Sequence, residues 1–97
     1  MNIDEALSRL REDGLFAQSV KGKDNEIIGG AKGAQRADGS LTLSDPFVIY
    51  FDKTWIVRIS AAGQHTVPIS ASTLAELVEI VCQLHREGKL TPKRDAP

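Results

Sequence analysis

Phe47-Val48-Ile49-Tyr50-Phe51-Asp52-Lys53-Thr54-Trp55-Ile56-Val57-Arg58-Ile59-Ser60 is the stretch that decides the fold. Two runs of β-branched and aromatic residues flank a short polar segment, the pattern of a hairpin. A two-residue loop would set Phe51 opposite Thr54 and Phe47 beside Arg58, mixing polar and apolar side chains on each face. A three-residue loop, Asp52-Lys53-Thr54, pairs Phe51 with Trp55, Ile49 with Val57 and Phe47 with Ile59. That register gathers the large apolar side chains on one face, and a one-residue slip would reverse them all. The loop has no glycine for a left-handed position, a cost on the order of 1 kcal/mol. Burying six large side chains is worth several kcal/mol, so burial selects this register.

Downstream, Ala62-Gly63-Gln64 turns the chain, and Val67 and Ile69 fall on the same face as Ile59 and Val57. Pro68 lacks an N–H, which predicts an edge strand. Upstream, Phe16, Gln18 and Val20 alternate as a strand does, Lys21 to Asn25 reads as a turn, and Glu26-Ile27-Ile28 is extended up to Gly29-Gly30. Asp38-Gly39 suits a type I′ turn, whose two central residues need positive φ. Its small neighbours Ala31, Gly33, Ala34 and Ala37 bury little. The expectation for Leu15 to Pro46 is therefore two or three short strands around a mobile loop, with Gly29 to Gly39 the most mobile interior segment.

Helices bracket this sheet. Asn2 and Glu5 have capping-box spacing, and Ile3, Ala6, Leu7 and Leu10 repeat with helical period until Gly14. Glu5 and Arg9 stand at i, i+4 in the favourable order. Thr73 and Glu76 repeat the cap before a second, longer stripe of Leu74, Leu77, Val78, Val81 and Leu84, closed by Gly88. The fold class is α+β: an N-terminal helix, a meandering antiparallel sheet of four to six strands, and a longer C-terminal helix, with both helices on one sheet face. One domain over 1–90 and a loose tail over 91–97 are expected. The predicted core is Ile3, Leu7, Leu10, Phe16, Phe47, Ile49, Phe51, Trp55, Val57, Ile59, Val67, Ile69, Leu74, Leu77, Val78, Val81 and Leu84.

Composition bounds function. Twelve basic and thirteen acidic side chains leave a net charge of −1, which argues against a dedicated nucleic-acid or membrane-surface protein. A single cysteine excludes an internal disulfide and any multi-cysteine zinc site. The longest apolar run, Phe47 to Phe51, is far short of a membrane span, and the acidic start at Asp4 and Glu5 is unlike a signal peptide. The expectation is a cytoplasmic protein with no cofactor and no metal.

Three groupings invite chemistry. Gly29, Gly30, Lys32 and Gly33 suggest an anion seat built from freed backbone amides, yet the spacing matches no phosphate-loop motif. Glu79, Cys82 and His85 share the last helix, with no third group in view to orient the histidine as a base. A buried cysteine acting as a small hydrophobe is the simpler reading. Ser60, His65 and Thr66, with Asp45 or Asp52 as the acid, can be drawn as a triad, but no nucleophile elbow supports them.

What remains is the opposite face of the central hairpin, where Val48, Tyr50, Ile56 and Arg58 form one patch. Tyr and Arg are enriched at the centres of protein interfaces. The pattern favours a small non-enzymatic protein-binding module, a regulator, inhibitor or immunity-type protein, whose partner is another protein or a second copy. The alternative is a small-ligand or anion-binding protein, or a minor enzyme, using the glycine-rich segment 29–39.

Overall fold

A computed structural model describes residues 1–44, 46–61, 64, 65 and 68–88. The elements run α1 (Ile3–Glu12), β1 (Phe16–Ser19), β2 (Glu26–Gly30), β3 (Lys32–Gln35), β4 (Leu41–Ser44), β5 (Phe47–Asp52), β6 (Thr54–Ala61), β7 (Gln64–His65), β8 (Ile69–Ala71) and α2 (Leu74–Arg86). Strands β1, β2, β5 and β6 lie side by side in that order, every pair antiparallel, and β7 and β8 both pair along β6. The two helices touch each other and pack on one face, α1 over β1 and β2, α2 over β6 and β8. This is the expected α+β meander. Among the described residues, no helix is long and apolar enough to cross a membrane.

The central register is the one burial selects. Phe47 faces Ile59, Ile49 faces Val57 and Phe51 faces Trp55. Lys53 takes the left-handed conformation at φ 63°, and it is the one non-glycine residue with positive φ among those described. The strain sits at the position where the polar loop lacked a glycine, and hydrophobic pairing carries it. Pro68 precedes β8, which among the described residues pairs with β6 alone and so forms one edge of the described sheet.

The core is a single cluster: Ala6, Leu7, Leu10, Leu15, Ala17, Ile27, Phe47, Ile49, Val57, Leu74, Leu77, Val78, Val81 and Cys82. Ile3, Trp55, Ile59, Ile69 and Leu84 pack against it only partly buried. Two expected core residues lie elsewhere. Phe51 is 50% exposed, because the hairpin end runs past the helices that cover the rest of its face. Phe16 points to the opposite face, since Leu15 and Ala17 take the buried parity of β1. Val67 falls outside the described residues.

The segment expected to be a mobile loop is a ribbon. β3 and β4 pair from Lys32–Ser44 to Gln35–Leu41, extending the β2–β5 pair beyond the main sheet. Its turn is not type I′. Arg36 O accepts from Gly39 N at 2.9 Å and Arg36 N donates to Ser40 O at 2.8 Å, so Ala37-Asp38-Gly39 form a three-residue loop with only Gly39 left-handed, at φ 88°. The Ser40 hydroxyl and amide both donate to the Asp38 carboxylate, which holds that carboxyl below its usual pKa.

Both helices start as their caps dictate. Asn2 Oδ1 accepts from Glu5 N at 2.8 Å while Asn2 N donates to Glu5 Oε1 at 3.0 Å. Thr73 Oγ1 accepts from Glu76 N at 3.1 Å, and its hydroxyl donates to Glu76 Oε1 at 3.3 Å rather than completing the reciprocal box. Left-handed Gly14 and Gly88 follow the two helix ends.

Candidate functional site

Because both helices pack on one side, no helix among the described residues covers the other face of the sheet. Strand alternation places Gln18, Glu26, Ile28, Val48, Tyr50, Thr54, Ile56, Arg58 and Ser70 on it, opposite the buried Ala17, Ile27, Ile49 and Val57. The ladders arrange them in rows. Gln18, Ile28, Val48 and Arg58 form one row across β1, β2, β5 and β6; Glu26, Tyr50, Ile56 and Ser70 form the next across β2, β5, β6 and β8.

All four residues of the predicted patch are therefore neighbours, with Tyr50 directly opposite Ile56 and Val48 opposite Arg58. Val48, Tyr50 and Ile56 are half-buried and Arg58 is exposed. Arg58 Nε donates to the Tyr50 hydroxyl at 2.8 Å along the diagonal of the ladder. That bond fixes two long side chains relative to each other. Glu26, Ile28 and Gln18 extend the patch and were missed. Their signal was the same parity rule, applied from Val48 across to the neighbouring strand. A shallow depression of about 190 Å³ between Lys23, Asp24, Asn25, Glu26, Tyr50 and Phe51 borders one end.

The sheet edges are guarded. Arg11 Nε donates to Ala17 O at 3.0 Å, occupying a carbonyl of edge strand β1. On the other side β8 is only three residues long and follows Pro68. Short, blocked edges disfavour pairing with a strand of another chain.

The glycines of the alternative anion seat do not form a loop. Gly29 and Gly30 are buried in β2, where Gly29 pairs with Ala17 and Phe47 and Gly30 with Phe16. A methyl group on Gly29 would meet the Phe16 carbonyl oxygen and the Phe47 ring, whose Cζ would stand 2.6 Å away. One on Gly33 would enter the Phe16 ring. The glycines make room for two aromatic rings, one on each face of the sheet, and Lys32 is exposed at the start of β3.

On the helix side, the Glu79–Cys82–His85 grouping resolves into two separate features. Cys82 is fully buried in the core, and burial pushes its thiol pKa up, with Arg9 opposing. His85 does have an orienting acid: Asp13, just beyond α1, accepts from His85 Nδ1 at 3.2 Å. Arg86 Nε and Nη2 also reach Asp13, at 3.0 and 2.8 Å, and Arg9 bridges to Glu79 through two bonds of 2.9 and 3.1 Å. Arg9 thus pairs across to α2, while its expected helix neighbour Glu5 is used in the cap. Burial alone would raise the Asp13 pKa, but hydrogen bonds from His85 and Arg86 hold it below the usual carboxylate value. This network clamps α1 to α2. The Ser60, His65, Thr66 and Asp45 side chains lie outside the described residues. Among the described residues, no group of three or more His, Cys, Asp or Glu is placed to hold a metal ion.

No protein-family profile matches the chain, and no curated protein or solved structure is detectably similar to it.

Proposed function

We propose that this protein is a small non-enzymatic protein-binding module, a regulator, inhibitor or immunity-type protein, that meets its partner with the helix-free face of its sheet. The observation that carries this reading is the Tyr50–Arg58 hydrogen bond of 2.8 Å at the centre of a half-apolar surface. An aromatic ring and a guanidinium locked together among Val48 and Ile56 are the residue types and the rigidity that protein hot spots use. Capture from native lysate with wild-type protein, set beside the Tyr50→Ala/Arg58→Glu double variant, tests it. Each substitution should weaken a specific association by about 1–2 kcal/mol while the fold stays intact. Equal capture by the two proteins would remove the support for this face.

A further inference from the structure

We propose that the occupant of the helix-free face is a second copy of the same chain: two sheets stack face to face about a two-fold axis running along β5. This rests on the reading of that face as a protein-contact surface and names the partner. The placement of charge selects it. Glu26 is level with Tyr50 on β2, and Arg58 is level with Val48 on β6, one strand to either side of β5. Along the strands they are offset by one same-face step, about 7 Å. A two-fold axis along β5 lays β2 of each copy over β6 of the other. Each Glu26 then comes within reach of Arg58 of the second copy, twice over, with Val48 and Tyr50 meeting their equivalents on the axis. An in-plane axis across the strands would instead lay β6 over β6 and β2 over β2, keeping Arg58 two strands away from Glu26 of the second copy.

The remaining observations agree. The bond to Tyr50 uses only Nε of Arg58, so its two Nη groups retain donors for a carboxylate. Both edges of the main sheet are guarded, by Arg11 on Ala17 and by the shortness of β8, which favours stacking over strand addition there. A net charge of −1 per chain adds little repulsion between copies. Two rows of four residues, staggered over five strands and flanked by Thr54, make a face of roughly 20 by 17 Å, about 700 Å² over both copies, the size of a weak and transient contact. The dimer is accordingly weak and concentration-dependent.

Sedimentation velocity on the full chain, from about 1 to about 500 μM, reads the association in the range such an interface gives. Wild type should pass from monomer to dimer mass. Arg58→Glu alone and Glu26→Arg alone each set like charges together and should stay monomeric, while their equimolar mixture restores opposite charges at both contacts and should dimerise at least tenfold more tightly than either. If a reversal variant fails to fold by circular dichroism, Arg58→Gln and Glu26→Gln replace it, each expected to weaken the dimer. A wild type that stays monomeric, or a mixture no tighter than its components, overturns the proposal. Should a monomeric wild type still capture a foreign protein that Tyr50→Ala loses, only the second copy is wrong. A dimer indifferent to every substitution on this face would sink both readings.

Discussion

Asp13 closes the first helix and receives His85 Nδ1 at 3.2 Å from the last, with Arg86 at 2.8 Å on its other oxygen, so a single carboxylate ties the two ends of the described chain together. Its side chain is 7% exposed, so these partners largely replace water. Because they hold the Asp13 pKa below its unfolded value, the carboxylate contributes stability above the unfolded pKa near 3.8 and loses it as pH falls through the folded pKa. Asp13→Asn should cost about 1–3 kcal/mol at neutral pH. The cost should shrink below about pH 4, as the wild-type carboxylate protonates too. Urea melts of both proteins from pH 3 to 7 measure this, and a difference that grows below about pH 4 would contradict the network.

Cys82 is a core residue with a raised thiol pKa, the opposite of an activated nucleophile. Native protein should react with iodoacetamide only as fast as it opens, and unfolding should accelerate the reaction strongly. Cys82→Ser should destabilise more than Cys82→Ala, since it places a hydroxyl among Leu77, Val78 and Val81. Rapid alkylation at neutral pH in the native state would reinstate the Cys82–His85 pair as a candidate for catalysis.

Gly29 and Gly22 separate steric from conformational demands for glycine. Gly29→Ala drives a methyl group into a backbone carbonyl and the Phe47 ring, neither of which yields cheaply. It should cost about 3 kcal/mol, the upper end of what overpacking a tight core costs. Gly22 has open space but φ 81°, so Gly22→Ala should cost only about 1 kcal/mol. Thermal melts rank the two, and equal costs would mean that β2 relaxes away from β1.

The central hairpin was legible because β-branched runs, loop length and parity all point to one register, and their weight exceeds the missing glycine at the position Lys53 takes. Helix ends were legible for the same reason, since Asn2, Thr73, Gly14 and Gly88 act through local geometry. In segment 29–39 short strands were expected but the choice between hairpin and ligand loop stayed open, because small residues look like a loop when their neighbours are unknown. Its glycines answer to Phe16 and Phe47, which are distant in sequence. Phe16 misled for a related reason: hydrophobicity does not say which face a short strand buries, and Ala17, too small to signal, holds the core parity. Asp13 could not be found from spacing, because its partners lie more than seventy residues away.

Phe51 and Trp55 are paired in register and meet edge to face, ring centroids 5.2 Å apart, beyond the cover of the helices. With Phe51 half in water, its truncation removes the ring contact and part of the buried area but opens no closed cavity. Phe51→Ala should therefore cost about 1 kcal/mol, the scale of an aromatic pair. Ile49, with no exposed surface at the centre of the same face, should cost about 2–5 kcal/mol as Ile49→Ala. Trp55→Ala should fall between them, since the indole packs against the core while remaining partly open. A double-mutant cycle on Phe51 and Trp55 should give a coupling of about 0.5–1.5 kcal/mol. Trp55 emission should move to longer wavelength in Phe51→Ala, because the ring that shields one side of the indole is gone. If Phe51→Ala proves as costly as Ile49→Ala, the hairpin end is covered in solution by something that buries both rings. If the emission does not move, Phe51 does not shield the indole in solution.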